Sequence, residues 1–526
     1  MFIFVWWKQK GNGNMYLCYD IRGIQSFIFR IPKLKYIIGG SALIDRFDRT
    51  TMGEVAEKCN VELLFAGGGK GTFCCDETKI GKLKKEILSE AKKIGVDVRF
   101  GQSEKYEEAS RNAGELFPFV PDSLEGKPCP VSGLYPVKDG EKMHAVVEKR
   151  IFERGEKMFR YYEENLFKET GGVVEWPNDL NDCKNADFFH NVSDNDDDSD
   201  GAAALGNRNR WAVVCMDGND MGSQMQHKLR EMQEGRFSEK DMPSWIKKMS
   251  AAIDKCSRTA ARKGVWAVLR AWRADGGEGS VLPIRPIIVG GDDISVLCHV
   301  SYAMEFVKRA MEVFKEESKK TPECWPATGG ELSISAGVLY CPVTLPLHSA
   351  MAYAEALLAS AKTRGRQKKE SGKVAPTPAS VDWESITDSV LMSPAAYRQK
   401  ALLFKDGDNG REICLTSRPC TLSEYGEIEK LAKKYREIPV TVRSKILPEM
   451  RRNADERLAF LSALAKNHFE LANDLADPEY AGDSGKFFKK GSRWKLIDNE
   501  KRQTTDVLDA LSILDEEKRM EEETVK

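Results

Sequence analysis

Three aspartates stand at two places where an apolar run gives way to a turn. Asp217 ends the run WAVVCMD and opens DGNDMG, while Asp292 and Asp293 follow Gly290 and Gly291 in RPIIVGGDDISVLC. If the two runs are neighbouring strands of one sheet, their carboxylates meet at one edge. Hard divalent cations take oxygen ligands, and Mg²⁺ is typically held by one or two carboxylates together with substrate phosphates. Two such ions about 4 Å apart clamp the attacking and leaving oxygens of phosphoryl transfer. The glycines let a phosphate chain approach the backbone closely. A polar hairpin turn is the competing reading, because GGDD is also good turn chemistry. Adjacent residues of an extended strand point to opposite faces. Asp292 and Asp293 can therefore both reach a metal only where the hairpin tip departs from regular strand.

Two further features bear on that chemistry. AKTRGR places Lys362 and Arg366 four residues apart on one face near a helix end. That spacing suits phosphate oxygens, with a solvated basic face as the alternative. SISAGVLY is an apolar strand that can flank the hairpin.

The elements that must position these residues read as strand, helix, hairpin, helix, strand, helix from WAVVC to AKTRGR. That order predicts a ferredoxin-like palm with helices on one face. An earlier stretch repeats the plan. MYLCYD is strand-like, VELLFAGGG and TFCCD bracket glycines, and KIGKLKKEILSEAKKIGV has helical spacing. Asp20 and Gly67-Gly68 stand in the places of Asp217 and Gly290-Gly291, whereas Gly69 and Lys70 replace the two aspartates. This copy can still seat a nucleotide through backbone N–H groups and Lys70. A Walker A loop does not fit AGGGKGT, because Gly71 follows Lys70 and Leu64 stands where the first glycine belongs.

The predicted fold is α+β: a first palm over 1–114, a helical inter-palm region with an acidic loop over 115–209, a second palm over 210–378, and a mainly helical C-terminal domain over 379–526. EKRIFERGEKMFRYYEENLF is the clearest inter-palm helix, and RRNADERLAFLSALAKNHFELANDLA is the best helix after the second palm. Within SDNDDDSDG, Asp196, Asp198, Asp200 and Gly201 fit the start of an EF-hand loop. Asn207 stands where its bidentate Glu is required, so the segment reads as a solvated acidic loop.

The 526 residues are too many for one ordinary core, and roughly three or four domains are expected. Although 31% of residues are charged, the formal net charge is −1, so any nucleic-acid contact must come from local basic stretches such as KFFKKGSRWK and KTRGRQKK. None of the 13 cysteines forms a C-x-x-C pair, which argues for free thiols in a reducing cytoplasm and against zinc. The apolar run in MFIFVWWKQK is too short for a membrane span and lacks the features of a signal peptide. The first fourteen residues read as a dispensable extension.

WAVVCMDGNDMG, VGGDDISVL, LSISAGVLY and AEALLASAKTRGR, in that order, resemble a nucleotidyl-cyclase or polymerase palm of the GGDEF/GGDD kind. The last segment resembles the closing helix of diguanylate cyclases, with Lys362, Gly365 and Arg366 in matching places. Aspartate in place of that family's glutamate makes the closer resemblance one to the large palm subunit of type III CRISPR effectors, the Cmr and Csm complexes. YDIRGIQSFIF with LKYIIGGSALI resembles the start of that family's first palm, and LFAGGGKGTF its degenerate hairpin. ICLTSRPCTLSEYGEIEKL and IPVTVRSKIL resemble segments after its second palm, so the likeness is spread over most of the chain.

The resemblance implies a nucleotidyltransferase that joins ATP into cyclic oligoadenylates in a CRISPR-like antiviral system. It implies a two-metal site of Mg²⁺ or Mn²⁺ on Asp217, Asp292 and Asp293. Lys362 and Arg366 would hold triphosphate charge, and Gly67, Gly68, Gly69, Lys70, Gly290 and Gly291 would contact nucleotides. Other effector subunits and guide and target RNA are the implied partners, in the cytoplasm and away from membranes. Two departures matter. There is no His-Asp dipeptide, so no HD nuclease activity is expected, and CPVSG keeps Cys129 but has Ser132 where a zinc-site partner would stand. An RNA-independent cyclic-dinucleotide synthase and a catalytically silent scaffold remain the alternatives. Adjacent carboxylates repel one another and have little structural use without a cation, which weighs against the scaffold.

Overall fold

The computed structural model describes residues 14–31, 34–111, 116–120, 126–133, 136–137, 141–152, 176, 210–238, 241–277, 282–369, 374–386, 392–405, 412–476, 493–497 and 502–514. The acidic loop, the EF-hand alternative, Cys183, residues 1–13 and most of KFFKKGSRWK and of the expected inter-palm helix lie outside these residues.

Two sheets dominate. The first takes β1 (Asn14–Arg22), β2 (Glu62–Gly67), β3 (Lys70–Asp76), β4 (Asp97–Ser103) and β5 (Leu116–Phe117), in the order β2-β3-β1-β4-β5. Helix α1 (Leu34–Arg46) lies between β1 and β2, and α2 (Glu77–Ile94) between β3 and β4. Alternation in β1 explains its placement. Leu17, Tyr19 and Ile21 are buried in the main core, while Cys18, Asp20 and Arg22 occupy the other face.

The second sheet repeats the plan with β6 (Arg210–Gly218), α3 (Met221–Gln233), α4 (Met242–Ala274), β7 (Ile284–Gly290), β8 (Asp293–His299), α5 (Ala303–Ser318), β9 (Ile334–Pro342) and α6 (Leu347–Lys368). Two more strands, β10 (Ser380–Ser385) and β11 (Cys420–Thr421), extend it to the order β11-β10-β9-β6-β8-β7. The central path is that of a ferredoxin-like unit in both sheets. The architecture is therefore mixed α/β, with two palm-like clusters and helical regions around them.

The second sheet departs from the one-sided cover that the pattern suggests. Residues Arg210 to Met216 of β6 are buried on both faces. Helix α6 covers the face that carries Asp217. Gly337 on β9 admits its backbone, since a Cβ there would collide with the Ala354 carbonyl.

The palms are joined by more than chain. The long α4 packs on both β2 of the first palm and β7 of its own. Across the same seam Arg49 pairs with Asp254 and Arg258 reaches Asp45 at 2.8 Å, while Arg49–Asp45 at 2.7 Å and Arg258–Asp254 at 3.3 Å pair within one palm each. Ser41 on α1 donates to the Ile287 carbonyl of β7 at 2.5 Å. These contacts tie the two palms together.

Beyond the second palm the chain is not helical throughout. Leu403–Lys405, Glu412–Cys414, Arg502–Thr505 and Trp494–Ile497 form a four-stranded sheet that the sequence pattern did not reveal. The expected long helix is two, Ala454–Leu464 and Phe469–Leu475. Helix Leu422–Lys434 starts on a capping box, Thr421 accepting from the Glu424 amide at 3.2 Å and Glu424 from the Thr421 amide at 2.8 Å. Buried charges tie this region to β10: Arg418 pairs with Glu384 at 3.2 Å and Asp509 at 2.9 Å, and Arg398 grips Asp382 bidentately at 2.6 and 2.8 Å.

Candidate active site

Strand pairing decides which carboxylates meet. β6 and β8 are antiparallel neighbours, and their register sets Asp217 directly opposite Asp293. The hairpin turn falls on Gly291-Asp292, with Gly290 opposite Asp293, one residue later than a Gly290-Gly291 turn. Gly291 has φ +61, the left-handed conformation that a tight turn needs. Asp292 is thus a turn residue and Asp293 the first residue of a strand. This departure from regular strand lets both side chains face the same point. Ligand oxygens of Asp217, Asp292 and Asp293 all lie within 4.8 Å of one another.

The environment makes this cluster costly without a cation. Asp293 is exposed on the cleft, yet the surrounding protein desolvates its carboxylate. That desolvation, and secondly the Asp292 carboxylate, push it up to about 7, with Lys70 pulling the other way. Burial also raises Asp292. Three oxygen donors at this spacing, two of them held above the usual carboxylate range, are a donor set for a divalent cation.

Lys362 comes to the cluster from α6. Its ammonium pairs with Asp217 and donates to the Gly218 carbonyl at 3.0 Å. Burial, then Arg366, pulls it down to about 8. Arg366 lies one turn further along, exposed, with no ion pair among the described residues. β9 flanks β6 on the side away from the hairpin, so Ser335 is opposite Asp217 there.

The first palm presents its own hairpin to this site. Its turn is Gly68-Gly69, with φ +61 and +74, the type I′ geometry that only glycine-like residues adopt easily. Gly67 pairs with Lys70 as Gly290 pairs with Asp293, and Asp20 lies opposite Lys70 as Asp217 lies opposite Asp293. The two hairpins are close, since a Cβ on Gly67 would be 4.0 Å from the Gly291 amide nitrogen. Between the palms is a cavity of about 550 Å³, whose walls include Asp217, Asp293, Gly290, Gly67, Gly68 and Lys70.

Several residues that line this cavity or support its hairpins were not singled out in the sequence. Glu355 on α6 lines it, accepts from Gln25 of the first palm, and is raised by burial and then by Asp293. It stands seven residues before Lys362, on the same helix face, and that spacing is a usable signal. Asp48 is buried behind the first hairpin, where it accepts from the Gly69 amide and from the Tyr19 hydroxyl, each at 2.7 Å. Ser257 on α4 donates to the Gly291 carbonyl at 2.7 Å and steadies the second hairpin. Nothing local in FDRTT or DKCSR distinguishes these two as hairpin supports.

Comparison with known proteins finds a family match over the second palm. Residues 210–371 match the family model described as Cas10/Cmr2, second palm domain. No curated protein matches the chain. Among solved structures, the chain is similar to a Csm1-Csm4 cassette in complex with cA4, at 13% identity and TM-score 0.48 over 96% of this chain and 70% of that one. It is also similar to the Csm1-Csm4 cassette in complex with AMPPNP, at 15% identity and TM-score 0.46 with the same coverage. No described helix is long and apolar enough to cross a membrane.

Proposed function

We propose, from the premise that residues 210–371 are a second palm domain of the Cas10/Cmr2 family, that this chain is a metal-dependent nucleotidyltransferase converting ATP to cyclic oligoadenylates. The observation that carries the reading is the Asp217–Asp292–Asp293 cluster, on that palm at the wall of a cavity shared with a first palm whose own hairpin carries no carboxylate.

In the reaction, the 3′-oxygen of one ATP attacks the α-phosphorus of another. A phosphodiester bond forms, the bond from the α-phosphorus to the bridging oxygen breaks, pyrophosphate leaves, and the hydroxyl proton passes to water. A pair of Mg²⁺ or Mn²⁺ ions would supply charge neutralisation at the attacking and leaving oxygens. Asp217, Asp292 and Asp293 would hold them. Lys362, already at Asp217, can follow the phosphates of the donor nucleotide, and Arg366 lies one turn further out for their outer charge. Gly290 and Gly291 leave the hairpin backbone open to the phosphates. Gly67, Gly68, Gly69 and Lys70 seat the attacking nucleotide from the other palm. Two substrates held across one cavity gain rate by orientation.

The remaining expectations belong to the same proposal. Synthesis would be governed by guide and target RNA bound to an effector complex, with other Csm- or Cmr-type subunits contacting the region beyond the second palm. The domain limits at 114, 209 and 378 are part of the proposal too. The test is ATP with Mg²⁺ or Mn²⁺, in the presence and absence of a guide–target RNA pair, with product masses read out. Cyclic oligoadenylates support the reading, and a cyclic dinucleotide formed without RNA would replace it with the simpler synthase.

A further inference from the structure

The first palm keeps the aspartate of the site but reverses its surroundings. In the second palm the row across three strands is Asp293, Asp217, Ser335; the register-equivalent row of the first palm is Lys70, Asp20, Arg99. Opposed residues of neighbouring strands share a face, so two cations flank Asp20. Arg22 adds a third, 3.5 Å from the Asp20 carboxylate. Among the described residues neither Lys70 nor Arg99 has an ion pair, and the Nε of Arg99 is buried with no hydrogen-bond partner. An unpartnered buried guanidinium donor is costly unless a ligand completes it.

These side chains wall a cavity of about 250 Å³ on the face of the first sheet opposite its main core, with Arg111 of the short helix Tyr106–Arg111 also in its lining. That is below the roughly 300–1,000 Å³ of pockets that take a whole small molecule, and it suits a phosphate chain. It shares Asp20 and Lys70 with the inter-palm cavity. A nucleotide whose sugar lies between the palms can therefore pass its 5′ phosphates past Lys70 into this pocket.

The geometry points to a cation-independent anion site at Lys70, Arg99, Arg22 and Arg111, which holds the 5′-triphosphate of an adenylate seated on the first palm. This rests on the proposed function for the identity of the ligand. The chemistry is common to two sources, the attacking ATP and the growing linear oligoadenylate. Arginine guanidinium groups grip phosphate oxygens in pairs of hydrogen bonds, and the row lacks the carboxylate pair that makes the second palm require a metal.

The experiment is calorimetric titration of inorganic tripolyphosphate into the full-length protein in EDTA. Saturable binding is expected, weakened at least tenfold in Arg99→Ala and in Arg22→Ala, and partly restored in Arg99→Lys. Arg22 is 45% exposed in its side chain, so its variant keeps the test open if Arg99→Ala fails to fold. Absence of binding, a need for divalent cation, or unchanged affinity in the folded alanine variants overturns the site. ATP and a 5′-triphosphorylated adenylate dinucleotide distinguish the sources. Tighter binding of the dinucleotide marks the growing chain and equal binding the attacking ATP, and each sustains the site. Because neither metal nor turnover is involved, this result is independent of whether the protein makes cyclic oligoadenylates.

Discussion

The two palms share their central strand order, hairpin length and register, yet two positions in each hairpin separate them. Where β8 of the second palm begins with Asp293, β3 of the first begins with Lys70, and each faces an aspartate across the sheet. The second palm gathers three carboxylates within 4.8 Å; the first surrounds one carboxylate with cations. The lesson is that one scaffold can present either sign of charge at one place, because the hairpin fixes geometry and the side chains alone decide the ligand. The turns differ accordingly. The first uses left-handed glycines at both central positions, the second at one, which leaves the other for Asp292.

The contrast can be broken most sharply at the carboxylates. Asp217→Asn and Asp293→Asn should each lower pyrophosphate release from ATP by about 10²-fold or more, with thermal melts unchanged. Removing the divalent ion with EDTA should match them. Lys70→Ala removes a charged contact worth about 1.5–3 kcal/mol. It should raise KM for ATP by roughly tenfold or more while kcat falls less, as initial rates over a range of ATP would show. An equal fall in kcat would move Lys70 from seating the nucleotide to acting in the chemical step.

Smaller effects sharpen the backbone side of the comparison. Gly69→Ala should cost about 1–2 kcal/mol in a denaturant melt, because φ is +74 and the new Cβ meets Ile24. Gly290→Ala, with nothing within 4 Å of its Cβ, should stay within about 0.5 kcal/mol. Similar losses at both would remove the distinction between the turns. Finally, burial holds Asp48 at about 7 against an ordinary 3.8. Folding takes up a proton between those values, so its contribution to stability is greatest at low pH and falls as pH rises towards 7. Asp48→Asn should flatten that portion of the curve in melts at about pH 4 and about pH 8.

The palms were legible because their signals are short-range. Apolar runs ending in Asp217, the GGDD turn and the spacing of Lys362 are local patterns, and the internal repeat could be read by matching Asp20 and Gly67-Gly68 to their counterparts. What escaped depends on tertiary approach. Asp48 and Ser257 support hairpins far from them in sequence, and Glu355 meets Gln25 only because the palms face each other. The four-stranded sheet beyond the second palm pairs Glu412–Cys414 with Arg502–Thr505. Strands of three or four residues so far apart leave too little periodicity to read. The long C-terminal helix was over-read because its apolar spacing continues through Asn467 and His468, where the chain turns.

The central claim is that the aspartate-bearing palm catalyses and the lysine-bearing palm seats a nucleotide. Its most direct test is product analysis of the purified chain with ATP and Mg²⁺ or Mn²⁺, with and without guide–target RNA, for the wild type beside Asp293→Asn. The account predicts cyclic oligoadenylate with release of pyrophosphate from the wild type under at least one of these conditions, and neither from the variant. Undiminished product from Asp293→Asn, or no pyrophosphate from the wild type under any of them, would contradict it.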